Sequence, residues 1–189
     1  MSRELNQLSR EALGRLFPVI LSKYRPEWPA RFEKEKVHIQ ACLGSCPVRR
    51  IVHFGSTAVP GLTAKPTIDI LVEIPAAEDA QAKIIRKMTD GGYQHVADHV
   101  DHLMMVKGYT PEGFKGQCIH VHMAAAGRVD LWQRVSFRDY LIAHPAVAAE
   151  YAALKTKLAA EFRYDRDAYT VAKTEFITRV TKLALASQS

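Results

Sequence analysis

Apolar positions along this 189-residue chain change period twice, and the changes divide it into three parts. Over residues 2–16, Leu5, Leu8, Ala12 and Leu16 recur on one face, the spacing of a short amphipathic helix. Pro18 and then Tyr24-Arg25-Pro26-Glu27-Trp28-Pro29 interrupt it. A second helix is predicted from Ala30 to Leu43, with Pro29 at its start, Phe32, Ile39 and Leu43 on one side and Gly44-Ser45 to stop it. The middle third alternates instead. Val48 to Phe54 reads as a strand, and Thr67 to Ile74 (TIDILVEI), β-branched and bounded by Pro66 and Pro75, is the most strand-like segment of all. A helix with Ala77, Ala80, Ile84 and Met88 on one side follows and closes at Gly91-Gly92. Two further strands, His102 to Lys107 and Gln117 to Met123, are joined by a Gly- and Pro-containing turn from Gly108 to Gly116, which predicts a long-looped antiparallel pair.

From Val129 the pattern is helical to the end. Val147, Tyr151, Leu154, Leu158 and Phe162 form one stripe, and Tyr169, Ala172, Phe176, Val180 and Leu183 another. The expected architecture is α+β: a small mixed β-sheet with flanking helices and a C-terminal helical layer. It fits one domain over 1–189, made of a helical extension at 1–17, an α/β core at 18–128 and the layer at 129–189.

Composition narrows the partners. With 48% apolar and 24% charged residues, the chain can bury a core and is not of disordered type. The apolar run Leu16 to Leu21 is broken by Pro18 and is too short for a bilayer span. Ser2-Arg3-Glu4 opens the chain without an apolar signal segment, so a cytoplasmic address is expected and no membrane partner. The 26 Lys and Arg against 20 Asp and Glu leave a formal charge of +6, which favours anionic partners. The sequence has neither a long basic run nor a Lys/Arg helix stripe, which argues against nucleic acid and for a nucleotide or another phosphorylated small molecule. Cys42, Cys46 and Cys118 lack a second pair at zinc-finger spacing and read as reduced, idle thiols.

Chemistry concentrates between Val52 and Asp69. A strand that ends in Gly55-Ser56 puts small residues, free amides and the Ser56 and Thr57 hydroxyls at the start of a turn, a cradle for phosphate oxygens. Asp69 faces the same crevice if its strand pairs with the preceding one, where its carboxylate would hold Mg²⁺ or another divalent ion. The plainer alternative is a structured Gly-Ser turn, with Asp69 capping a backbone group or pairing with Lys65. His120 and His122, two apart on a strand, point to one side; beside Asp69 they make a two-His, one-carboxylate set. The plainer reading is that they hydrogen-bond phosphate, Asp69 or a backbone carbonyl without any metal, and plain packing is a third. His95, His99 and His102, with Asp98 and Asp101 between them, read more simply as a charged loop than as a metal site.

The run from Gly55 to Ile70 (GSTAVPGLTAKPTIDI) closely resembles the signature of the GrpB family. The resemblance continues in Tyr24 to Pro29, His120-Val121-His122, Phe137 to Leu141, His144-Pro145, Tyr151, Leu154-Lys155, Tyr169 and Lys173, over roughly residues 19 to 185. It implies a polymerase-β-like nucleotidyltransferase fold, with Asp69 at the place of the first metal carboxylate and Mg²⁺ or Mn²⁺ as the cofactor. The second carboxylate of that pattern falls on Leu71. Glu73 lies on the same face but ~13 Å further along at ~3.3 Å per residue, too far to share an ion with Asp69. Lys65, Arg128, Arg138, Lys155 and Lys173 are the cations to place around an anion, and the resemblance favours Arg138 and Lys173. Two functions follow as expectations. The first is a nucleotidyltransferase-like protein that binds a phosphorylated ligand and transfers a nucleotidyl or phosphoryl group. The second is a non-catalytic accessory or ligand-binding domain linked to coenzyme A synthesis or protein folding, with a protein partner.

Overall fold

The computed structural model describes residues 7–75, 78–96, 102–125 and 127–188. A five-stranded sheet organises it, in the order β1-β2-β5-β4-β3. The strands are β1 Arg50–Phe54, β2 Thr67–Ile74, β3 Gln94–Val96, β4 Leu103–Thr110 and β5 Gly113–Ala125. β2 runs parallel to β5 and antiparallel to β1, while β4 is antiparallel to both its neighbours. The helices are α1 Arg10–Leu16, α2 Trp28–Leu43, α3 Glu78–Asp90, α4 Val129–Ala143, α5 Pro145–Glu161, α6 Arg166–Val171 and α7 Thr174–Ala186. This is the expected α+β architecture.

Strand alternation gives the sheet two chemically different faces. Ile68, Ile70, Val72, Ile119, Val121 and Met123 turn to one side and pack with Trp28, Phe32, Ile39 and Leu43 of α2 and Ile84 and Met88 of α3. This is the main core. The opposite face carries Asp69, Leu71, His120 and His122, with the C-terminal helices above it. Those helices have a core of their own, in which Leu141, Tyr151, Phe176 and Val180 close on Val59 and Leu62 of the β1–β2 connection.

Several boundaries differ from the sequence reading, each for a local reason. α1 starts at Arg10, within the described residues, because the Ser9 hydroxyl caps it by accepting from the Ala12 amide. Ala77 of the expected third helix lies outside the described residues. β4 and β5 run through the expected loop and meet in a tight hairpin, with Tyr109 opposite Phe114 and Thr110 opposite Gly113. Gly108 permits this: at φ +91° it sits at a shift in register, and a β-carbon there would lie 2.8 Å from the Gln117 carbonyl oxygen. The last apolar stripe is split, since α6 ends at Val171 and α7 begins at Thr174. β3 is a three-residue edge strand paired with β4 and includes His95, where a loose loop was expected. Asp98, His99 and Asp101 lie outside the described residues. Among the described residues no helix is long and apolar enough to cross a membrane.

Candidate functional site

β1 ends at Phe54, opposite Asp69 in the adjacent strand, and the chain turns at Gly55 into a short 3-10 segment, Ser56–Ala58. Gly55 has φ +73°, and a β-carbon there would overlap Asp69 Oδ2. Glycine is therefore required twice, for the backbone conformation and for the approach of the carboxylate. The Ala58 and Val59 amides close the turn on the Gly55 and Ser56 carbonyls. The Thr57 hydroxyl is committed inside the fold: it donates to the Thr67 carbonyl oxygen and meets His53 Nε2 at 3.0 Å.

The parallel register of β2 and β5 sets Asp69 opposite His120 and Leu71 opposite His122. His120 Nδ1 lies 3.4 Å from Asp69 Oδ1, and its Nε2 is 2.6 Å from the Tyr109 hydroxyl. Arg166 Nη2 donates to that hydroxyl at 3.3 Å and Nη1 to the Phe17 carbonyl oxygen at 3.1 Å. His122 Nδ1 is 2.8 Å from His102 Nε2. One ligand atom from each of Asp69, His120 and His122 falls within 4.8 Å of the others. The donor set fits a single divalent ion, and both imidazoles have an outer partner to fix their orientation.

The second carboxylate position is closed. Leu71 is fully buried with Phe54, Ala124 and Leu131, under α4. Glu73 is engaged elsewhere: Arg50 Nε binds it at 2.6 Å and Arg49 approaches to 3.7 Å, with the Arg50 guanidinium stacked over Trp132. Neither residue can help Asp69 to hold an ion.

A cavity of about 760 Å³ opens over this triad. Among the described residues its lining carries five Lys and Arg (Lys65, Arg134, Lys155, Lys173 and Lys182) against two acids, Asp69 and Asp130. Asp130 is paired with Arg128 at 2.9 Å, which holds its carboxyl down at about 2. Lys155 is 2% exposed; it donates to the Thr63 carbonyl oxygen and lies 4.6 Å from the Tyr151 ring centroid. Lys65 and Lys173 lie 5.2 and 4.2 Å from the centroid of Tyr169. Among the described residues, none of these three lysines forms an ion pair. Burial, then repulsion from Arg166 and Lys173, pushes Lys65 down to about 7; burial, then repulsion from Lys173 and Lys65, pushes Lys155 down to about 7; burial pushes Lys173 down to about 8 against the pull of Asp69, with Arg166 adding repulsion. Crowded, desolvated ammonium groups beside one carboxylate form a site that a multiply charged anion stabilises.

Of the residues singled out in the sequence, Gly55, Ser56, Lys65, Asp69, His120, His122 and Lys173 line the cavity. Thr57 and Arg138 do not. Arg138 donates to the His53 carbonyl oxygen and pairs with Asp139 at 2.6 Å, bracing the end of β1. Lys155, also among the expected cations, is buried and lines the cavity. Arg134 escaped the sequence reading; with Asp130, Gln133 and Phe137 it makes a helical stripe on α4 that faces the cavity. Arg138 lies about a quarter turn off the middle of that stripe, at ~100° per residue.

The chain belongs to the GrpB protein family, whose model matches residues 18–183. It is 39% identical over 164 residues to a UPF0157 protein of Pseudomonas aeruginosa, covering 86% of this chain and 66% of that protein. It is 34% identical over 166 residues to the glutamate-rich protein GrpB of Alkalihalophilus pseudofirmus, covering 86% and 93%. The chain thus spans about two thirds of the Pseudomonas relative's length. Among solved structures, the crystal structure of conserved protein GrpB from Enterococcus faecalis superposes with a TM-score of 0.77 at 29% identity, over 89% of this chain and 99% of that one. The Cid1 poly(U) polymerase gives a fainter likeness, with a TM-score of 0.43 at 10% identity over 71% and 45%.

Proposed function

We propose that this chain binds a phosphorylated ligand, a nucleotide, in the cavity beneath the helical layer, with one divalent ion held by Asp69, His120 and His122 at the phosphate end. The observation that carries this reading is the juxtaposition of buried Lys155 and half-buried Lys65 and Lys173, all without ion pairs among the described residues, with the Asp69 carboxylate flanked by two imidazoles. The lysines supply charge to the phosphates, and the amides at the Gly55-Ser56 turn orient phosphate oxygens. Two nitrogen donors to one oxygen favour Mn²⁺ over Mg²⁺. Such an ion neutralises phosphate charge and polarises the phosphorus–oxygen bonds.

If the bound ligand reacts, the reaction class is nucleotidyl or phosphoryl transfer assisted by that single ion. Leu71 favours a second reading. Two-ion transfer needs several carboxylates, and here an apolar side chain occupies the second place, as in a domain that binds or carries its ligand without turnover. A thermal-shift screen separates these readings from no binding at all. The ligands are NTPs, dephospho-CoA, CoA and sugar phosphates, each with and without Mg²⁺, Mn²⁺ or Zn²⁺. A metal-dependent rise in Tm with one ligand, lost in Asp69→Ala, supports the site. Product formed from that ligand supports transfer, and binding without product supports the carrier. No shift in either protein overturns the phosphate reading and points to a protein partner instead.

A further inference from the structure

A second cavity, of about 1020 Å³, lies on the other side of His120. Its walls are α1, the β3–β4 edge of the sheet, the turn between α5 and α6, and one face of α6. Backbone contacts fix those walls. A β-carbon at Gly14 would overlap the Tyr164 carbonyl oxygen, so α1 lies directly on the α5–α6 turn. The Val19 amide donates to the Arg163 carbonyl oxygen at 2.7 Å, and Arg166 ties Phe17 to Tyr109. α6 is the partition: Ala168 and Val171 face the second cavity, while Tyr169, Thr170 and the following Lys173 face the first. Among the described residues, His120 is the one that lines both.

The two cavities differ in chemistry. Leu13, Phe17, Val106, Tyr109 and Phe162 give the second an aliphatic and aromatic lining. Among the described residues its charges nearly balance, three Arg against four carboxylates. Two of these are already occupied: Asp165 caps α6 by accepting from the Ala168 amide at 2.9 Å, and Arg166 is bonded to Tyr109 and Phe17. Among the described residues, lysine, which crowds the first cavity, is absent from this lining. A phosphate would gain little here, whereas an uncharged ring would bury its faces against apolar side chains.

We propose that this cavity is a second small-molecule site, for an uncharged, ring-bearing organic ligand, filled at the same time as the phosphate cavity and meeting it at His120. The claim of joint occupancy rests on the phosphate reading; the ring-binding site itself does not. α6 keeps the two ligands apart along their length, and the shared imidazole is where their ends come together.

The test is ¹⁵N–¹H correlation spectroscopy of the full chain titrated with indole, benzyl alcohol and adenosine, with and without saturating sodium tripolyphosphate. The expected result is saturable shifts at the amides of Leu13, Val106 and Ala168 with at least one ring, persisting when tripolyphosphate is present. Leu13→Trp and Ala168→Phe, which fill the cavity from two different helices, should each weaken ring binding roughly tenfold and leave tripolyphosphate binding unchanged. Absence of saturable shifts with all three rings at millimolar concentration overturns the site. Shifts erased by tripolyphosphate overturn it too, since they mean one shared cavity. Tripolyphosphate that leaves the spectrum unmoved contradicts the phosphate reading and joint occupancy with it, while the ring titration still decides the second cavity.

Discussion

Gly55 and Asp69 are in such close approach that any β-carbon at position 55 would overlap Asp69 Oδ2 and lie 3.0 Å from Asp69 Cβ and Cγ. The glycine holds the carboxylate where His120 Nδ1 can face it. Gly55→Ala is therefore expected to lose roughly 1–3 kcal/mol of stability to backbone strain and overlap, and to displace the carboxylate. Urea unfolding measures the first effect. Calorimetric titration with Mn²⁺ measures the second, as an affinity loss of at least about tenfold.

Tyr109 would act on an ion held at the proposed site through His120. Its hydroxyl meets Nε2 at 2.6 Å, which leaves Nδ1 as the nitrogen that faces Asp69. Tyr109→Phe removes that anchor while keeping the ring packed against Phe17. Mn²⁺ affinity is expected to fall roughly 10–100-fold with little change in Tm. A Tyr109→Phe protein that binds Mn²⁺ like wild type would show that the hydroxyl does not position the imidazole.

Binding of phosphate should depend on pH with a definite sign. Lys65 and Lys155, held at about 7, and Lys173, at about 8, must be protonated to meet an anion. Affinity for tripolyphosphate is expected to fall as pH rises from 6.5 to 9 (working values spanning roughly those titrations), and binding near neutrality should take up protons. Titration calorimetry in buffers of different ionisation enthalpy measures that uptake directly.

The free protein should follow the opposite course. These lysines titrate lower folded than unfolded, so above about pH 7 the unfolded chain holds more protons and stability rises with pH toward the ordinary lysine range near 10.5. Lys155→Met lacks one of the groups responsible, and its stability curve should be flatter by something of the order of 2–4 kcal/mol across that window. Parallel slopes in chemical denaturation would show that Lys155 is charged at neutral pH without cost.

Restoring the second carboxylate should fail structurally. Leu71 is sealed among Phe54, Ala124 and Leu131. Leu71→Asp would bury a carboxylate among apolar side chains, and a loss of roughly 3 kcal/mol or more is expected. Nucleotidyl transfer is not expected to appear.

The features legible in the sequence are those set by local period. Two-residue alternation places Asp69 with Leu71 on one strand and His120 with His122 on another, and TIDILVEI forms a strand with the bounds that its prolines set. The pairing of those strands is long-range; it turned two separate motifs into one triad. The helical layer was harder to read because a helix has several polar faces, and the face that meets the sheet depends on docking. Arg134 therefore escaped, while Arg138, one turn further along the same helix, turned to the His53 carbonyl oxygen of β1. Glycines misled where they serve a bulge and a hairpin within β4 and β5 instead of ending a strand. The partition by α6 left no trace, since six residues carry too little periodicity to show two faces.

The central claim is that a phosphorylated ligand and one divalent ion share the cavity at Asp69, His120 and His122. The most direct measurement is pulsed electron paramagnetic resonance of Mn²⁺ added to the wild-type chain with ATP, and to Asp69→Ala and His120→Asn. The account expects Mn²⁺ coupled to imidazole nitrogen and to ³¹P in wild type, with the nitrogen coupling reduced in His120→Asn and bound Mn²⁺ lost in Asp69→Ala. Mn²⁺ coupled to phosphorus alone, with identical spectra in all three proteins, would contradict it.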